Sequence, residues 1–205
     1  MVLGITGGYC AGKDLAVGIL VRYGIEEINE DRLGHQALEI LKDRIKDVFG
    51  AGVLDESGKV DRRALGSVVF ANLKALERLE RIVHPWMVEE TKRRIAEAEN
   101  QNIVINAAIL HRMGLHRVCD LIIIIRAPFL VRFRRAKRRD GHSWTETFKR
   151  LRTQARQRRR EDIPKQFLNE KGEDVDTVRV NNGGSKDTLE KRLAGILSDH
   201  GITGR

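Results

Sequence analysis

Residues 7–14 read GGYCAGKD, and their types and spacing suit the holding of phosphate. Gly7, Gly12 and Lys13 fit the pattern G-x-x-x-x-G-K. In such a loop successive backbone N–H groups curl around an anion, the following helix adds its positive pole, and the lysine adds a full charge. Gly8, Tyr9, Cys10, Ala11, Gly12 and Lys13 are therefore the expected contacts of a nucleotide's phosphates. The position after the lysine normally carries Ser or Thr, a neutral ligand for Mg2+, and here it carries Asp14. A carboxylate is also a hard oxygen ligand and can take the metal directly, but without metal its charge repels the phosphates. Asp14 has a plainer reading as well, an acid favoured by the dipole at a helix start. Cys10 and Ala11 carry β-carbons, so a loop that needs positive φ at either is strained.

A phosphate loop needs a buried strand before it and an amphipathic helix after it. VLGIT at 2–6 is a short apolar run ending at glycines, and Leu15, Ala16, Ile19 and Leu20 recur at helical spacing. Ile25 and Ile28 mark a second short strand, and Leu38, Leu41, Ile45 and Val48 define a second helix. DESGK at 55–59 is a turn by composition. Residues 61–100 are helical in pattern with no strand between, and Pro85 suits the first turn of a new helix. NIVINAAI at 102–109 and VCDLIIIIRA at 118–127 are β-branched runs with little alternation, as expected of strands covered on both faces of a parallel sheet. A basic helix follows over 128–160, then a last strand, DTVRV at 176–180, and a closing helix from Lys186 to Leu197. This order predicts a doubly wound parallel α/β sheet with helices on both faces and ligands at the carboxyl ends of its strands.

The chain has 205 residues, which suits one domain with insertions. With 41% hydrophobic and 33% charged residues and no apolar run long enough to span a bilayer, membrane insertion is not expected. No secretory leader is visible, so the cytoplasm is the expected compartment. Cys10 and Cys119 are expected to be free thiols. The net charge of +9 attracts polyanions, and it is concentrated: residues 126–160 hold twelve Arg and two Lys against Asp140 and Glu146. A solvated basic face, a phosphate clamp and a nucleic-acid surface all fit that segment.

Seven stretches taken together resemble the dephospho-CoA kinase family: GITGGYCAGK at 4–13, INEDRLGH at 28–35, DRRALGSVVF at 61–70, LERIVHP at 79–85, the arginine-rich helix ending RRD at 138–140, Gln154, and VNNGG at 180–184. The resemblance runs over nearly the whole chain. It implies ATP-dependent phosphorylation of the ribose 3′-hydroxyl of dephospho-CoA, with Mg2+, on a three-layer P-loop kinase fold. The core is expected over about 1–60, 101–134 and 171–205, a helical substrate-binding insertion over about 61–100, and a basic lid over about 135–170. It implies that Asp31 is the base for the attacking hydroxyl, that Lys13 serves catalysis, and that Arg135 and Arg139 close over the ATP phosphates. Thr6, Arg62 and His84 are the expected substrate contacts, and Asp14 the expected metal ligand.

The chain departs from the family at three places. Asn29-Glu30-Asp31 stands where the family usually has Asp-x-Asp, and AAILH at 107–111 puts His111 where the family has an acid. Asp14 is the third. These changes predict a rearranged set of metal ligands or reduced turnover. Two alternatives stand beside the kinase reading. One is another P-loop nucleoside or nucleotide kinase; the other is a weakened relative binding nucleotide or nucleic acid through residues 126–160. Aromatic residues make up 5% of the chain and offer few stacking platforms, which weighs against single-stranded nucleic acid.

Overall fold

The computed structural model describes residues 1–140 and 166–202. Gln154 and most of the expected lid lie outside the described residues. Contacts divide the chain into two compact units, one of residues 1–28 with 98–205 and one of Asn29–Glu97.

The first unit is built on a six-stranded sheet in the order β2-β3-β1-β4-β6-β5. Its strands are β1 (Val2–Gly7), β2 (Glu26–Asn29, which ends at the boundary), β3 (Ile103–Asn106), β4 (Leu121–Arg126), β5 (Phe167–Leu168) and β6 (Asp174–Asn181). β1 pairs in parallel with β3 and β4, β6 pairs in parallel with β4, and β5 is antiparallel to β6. The run LIIII at 121–125 is buried throughout, which explains its lack of alternation: side chains on both faces of β4 are covered. Leu3 and Ile5 of β1 join Leu121, Ile123 and Ile125 of β4 in one apolar cluster. That cluster is closed by Ala16, Val17, Ile19 and Leu20 of α1 (Lys13–Arg22) and by Leu189, Leu193 and Leu197 of α7 (Lys186–Asp199). Each Val, Leu or Ile among them contributes about 1.5–3 kcal/mol by leaving water, which holds α1 against β1 and β4.

The second unit consists of α2 (Glu30–Ile40), α3 (Lys42–Phe49), α4 (Arg62–Ala71) and α5 (Leu73–Glu97). Asn29 caps α2, its Oδ1 accepting from the Arg32 amide at 3.1 Å, and Asp61 caps α4 by accepting from the amides of Arg63 and Ala64. Leu33, Ala37, Ile45, Val53, Val60, Leu65, Val69, Ile82, Val83 and Met87 form its buried apolar residues. The turn at 55–59 is closed by Asp55, whose Oδ1 accepts from the amides of Ser57 and Lys59 and from the Ser57 hydroxyl.

Two sequence expectations are corrected here. The single helix read from Leu38 to Val48 is two helices that meet at Leu41. Pro85 lies inside α5 instead of opening a new helix. A proline there frees the carbonyl of Arg81 one turn back; Arg81 and Pro85 are both exposed, so water can satisfy that group. The strand β5, two residues long, was not anticipated. Among the described residues no helix is long and apolar enough to cross a membrane.

Candidate active site

The loop after β1 carries two residues in the left-handed region, Cys10 with φ 56° and Gly12 with φ 93°. Gly12 is the residue before α1, and only a residue without a β-carbon fits there, since a β-carbon would collide with the Asn182 side-chain nitrogen. Cys10 is the strained position foreseen in the sequence; Ala11 is not one. Inside the loop the Ala11 amide donates to the Gly8 carbonyl at 2.9 Å.

Three side chains from α6 (Phe129–Asp140) and the turn after β6 hold the loop's carbonyls. Arg132 Nε donates to the Tyr9 carbonyl at 2.8 Å. Asn182 Nδ2 and Arg135 Nη1 donate to the Ala11 carbonyl at 2.8 and 3.2 Å. In a trans peptide the C=O and the next N–H point in opposite directions. With the Tyr9 and Ala11 carbonyls turned toward α6 and Asn182, the Cys10 and Gly12 amides are turned away from them, the arrangement an anion cradle needs. Arg139 completes the contact, its guanidinium 4.8 Å from the centre of the Tyr9 ring. Arg135 and Arg139 thus both lie against the loop, while Arg132 and Asn182, which the sequence reading did not single out, do equal work there. Burial pushes the Cys10 thiol up, and the guanidiniums of Arg139, Arg132 and Arg135 pull it down by less.

Lys13 opens α1 with its side chain 12% exposed. Its ammonium donates to Asn106 Oδ1 and lies 3.1 Å from Asp14 Oδ1. Asn106 is buried at the carboxyl end of β3, level with Ile5 of β1, and its amide donates to Glu27 Oε1 at 2.6 Å. An ammonium has three hydrogens, so this network aims the lysine with two of them. Asn106 and Glu27 were missed in the sequence; the available signal was a polar residue closing the apolar run IVIN. Asp14 is 79% exposed. Mg2+ in phosphate sites takes one or two carboxylates and fills its shell with phosphate and water, and an exposed acid at the head of α1 fits the single-carboxylate case. Among the described residues no group of three or more His, Cys, Asp or Glu could hold a metal unaided.

Thr6, at the carboxyl end of β1, is 6% exposed, and its hydroxyl donates to the Ala108 carbonyl at 3.0 Å.

In the second unit Asp31 is exposed in the first turn of α2, and the preceding residue, Glu30, is buried. Asn29 caps the same turn, work that an aspartate there would do equally; the amide keeps the cap and omits the charge. Arg62, at the start of α4, places Nη1 3.2 Å from Nε2 of His35. His35 in turn lines an open groove of about 570 Å³ with Gln36, Glu39, Ile40, Trp86 and Glu90. His84 is half-buried on α5 two residues before Trp86.

Comparison with known proteins gives a consistent set of relatives. The family model for dephospho-CoA kinase matches residues 1–176. A dephospho-CoA kinase of Borreliella burgdorferi is 36% identical over 128 residues, so the match spans 62% of this chain and 62% of that protein. One from Bacillus licheniformis is 31% identical over 96% of this chain and 95% of its own length. A crystal structure from Thermus thermophilus superposes with a TM-score of 0.76 at 26% identity, covering 97% of each chain. The fold is also that of a dephospho-CoA kinase from Campylobacter jejuni, with a TM-score of 0.59 at 21% identity, covering 98% of this chain and 97% of that one.

Proposed function

The chain belongs to the dephospho-CoA kinase family, and on that premise we propose that it transfers the γ-phosphoryl group of ATP to the ribose 3′-hydroxyl of dephospho-CoA, giving CoA and ADP. The observation that carries this reading is the loop after β1. Its Tyr9 and Ala11 carbonyls are held by Arg132, Arg135 and Asn182, and Lys13 stands at the head of α1 beside it. Such a loop binds the phosphates of ATP through its amides, and Lys13 and the helix pole offset the charge that builds on the transferred group.

Asp31 accepts the proton of the 3′-hydroxyl while the oxygen bonds to phosphorus and the bond to the β-phosphate oxygen breaks; the electron pair leaves with ADP. A ribose hydroxyl is a weak nucleophile, and a carboxylate orients it as well as taking its proton. Asp31 stands exposed in the first turn of α2, open to a substrate hydroxyl. Arg62 and the groove beside His35 receive the parts of dephospho-CoA away from the reacting hydroxyl, the guanidinium for a phosphate and the Trp86 and Ile40 surface for an apolar arm. Arg139 closes toward the phosphates from its place over Tyr9. Mg2+, held through Asp14, would neutralise phosphate oxygens. The setting is the reducing cytoplasm, where Cys10 and Cys119 remain thiols.

The test is incubation with ATP, Mg2+ and dephospho-CoA, with nucleosides and nucleoside monophosphates as competing acceptors. CoA and ADP in equal amounts, with little product from the other acceptors, support the reading. Preferred phosphorylation of a nucleoside would move the chain to another P-loop kinase activity.

A further inference from the structure

Glu30 directly precedes Asp31 in the first turn of α2 and is 3% exposed. Its Oε1 lies 2.7 Å from Thr91 Oγ1 on α5, and the same hydroxyl lies 2.7 Å from the Met87 carbonyl oxygen. Two O···O contacts of that length need two hydrogens, and a threonine hydroxyl supplies one. The carbonyl has none, and a protonated Glu30 would supply the second. The other oxygen, Oε2, is buried without a hydrogen-bond partner, which a neutral acid tolerates far better than a carboxylate. The charged groups that act on Glu30 are Arg94 of α5 and its own neighbour Asp31. Arg94 is already engaged, its Nε with Glu90 at 2.8 Å and its Nη2 with Gln36 at 3.1 Å. Burial raises the Glu30 carboxyl most; the Thr91 hydroxyl and Arg94 pull it down by less, Asp31 adds to the rise, and the result is about 7.

We propose that Glu30 is a positioning residue for Asp31: as a neutral acid it donates to Thr91 and fixes the first turn of α2 on α5, and loss of its proton loosens that turn. Ionised, Glu30 would be a buried charge with one oxygen unpartnered and a second carboxylate next to it in sequence. The turn relaxes to reach water, and the base it carries is held less well. This rests on the reading of Asp31 as the base.

Glu30→Gln keeps the shape and donates an amide hydrogen to Thr91 at every pH. The expected result is that the wild-type kcat declines above neutrality by about tenfold by pH 9, while E30Q is flat over the same range. Thr91→Val removes the acceptor and should lower kcat about tenfold at pH 7 with the KM for ATP unchanged, in a protein whose thermal melt shows it folded. Coincident pH profiles for wild type and E30Q, or a folded Thr91→Val with full kcat, overturn the proposal. A separate arm needs no activity and no variant: carbon-13 NMR titration of the Glu30 carboxyl. A midpoint near neutrality supports a protonated Glu30, and one in the ordinary glutamate range overturns it. If no kinase activity is found at all, the function proposed above falls, and the titration still decides the state of Glu30.

Discussion

Gly12 and Asn182 are matched across 170 residues of chain: the Asn182 amide nitrogen that donates to the Ala11 carbonyl occupies the space where a β-carbon on Gly12 would stand. The turn after β6 therefore shapes the loop after β1, and residue 12 must be glycine both for its φ of 93° and for this neighbour. Asn182→Ala removes a buried hydrogen bond worth about 1–3 kcal/mol. Its ATP affinity, measured by calorimetry, should fall about tenfold or more; Gly12→Ala should fall further. An Asn182→Ala protein with unchanged affinity would show that the loop holds its shape without this contact.

The φ of 56° at Cys10 gives a ranking. A left-handed conformation costs an L-residue about 1–2 kcal/mol, more when the side chain is β-branched, and glycine pays nothing sterically. Cys10→Gly should bind ATP more tightly than Cys10→Val by about tenfold, with the wild type between or level with glycine. Equal affinity for the two variants would mean that the loop does not keep this conformation when it binds.

The buried acid at position 30 sets the sign of one pH dependence. Its carboxyl in the folded protein is pushed up to about 7, so the folded state holds a proton that the unfolded chain releases near the ordinary glutamate value. Stability is then lost as pH rises from about 4.5 to 7 and is level above that range. Urea denaturation of wild type and Glu30→Gln should agree at pH 4 and diverge in favour of the variant by about 3 kcal/mol at pH 8. A difference that does not change with pH contradicts a raised value.

Asp14 sets a metal dependence. With its side chain 79% exposed beside Lys13, the carboxylate repels phosphate when no cation intervenes. ATP affinity in chelator should therefore improve for Asp14→Ser, and the gain from added Mg2+ should be smaller in the variant than in the wild type. The same affinity for wild type with and without metal would remove Asp14 from the site.

The parts of the fold that could be read from sequence are those whose cause is local. The β1 run, the glycine turn and the 3.6-residue repeat of α1 coincide within 20 residues, and the β-branched run at 121–125 reports its own double burial. The break at Leu41 was hidden because apolar spacing continues through it, and Pro85 misled because α5 accommodates it on an exposed face. The site residues that escaped notice take their roles from partners far along the chain. Asn106 meets Lys13 across 93 residues and Glu27 across 79, and Asn182 meets Ala11 across 171. Glu30 was legible in principle: it shares the buried face of α2 with Leu33 and Ala37, at spacings of 3 and 4, so the helix phase that buries those two buries it.

The most direct test of the account compares wild type with Asp31→Asn in a reaction of ATP, Mg2+ and dephospho-CoA, with ATP binding measured on both. A base that takes the hydroxyl proton contributes about 100-fold or more, so the variant should form CoA at least that much more slowly while binding ATP with unchanged affinity. Equal rates of CoA formation from the two proteins would contradict the assignment of Asp31 as the base.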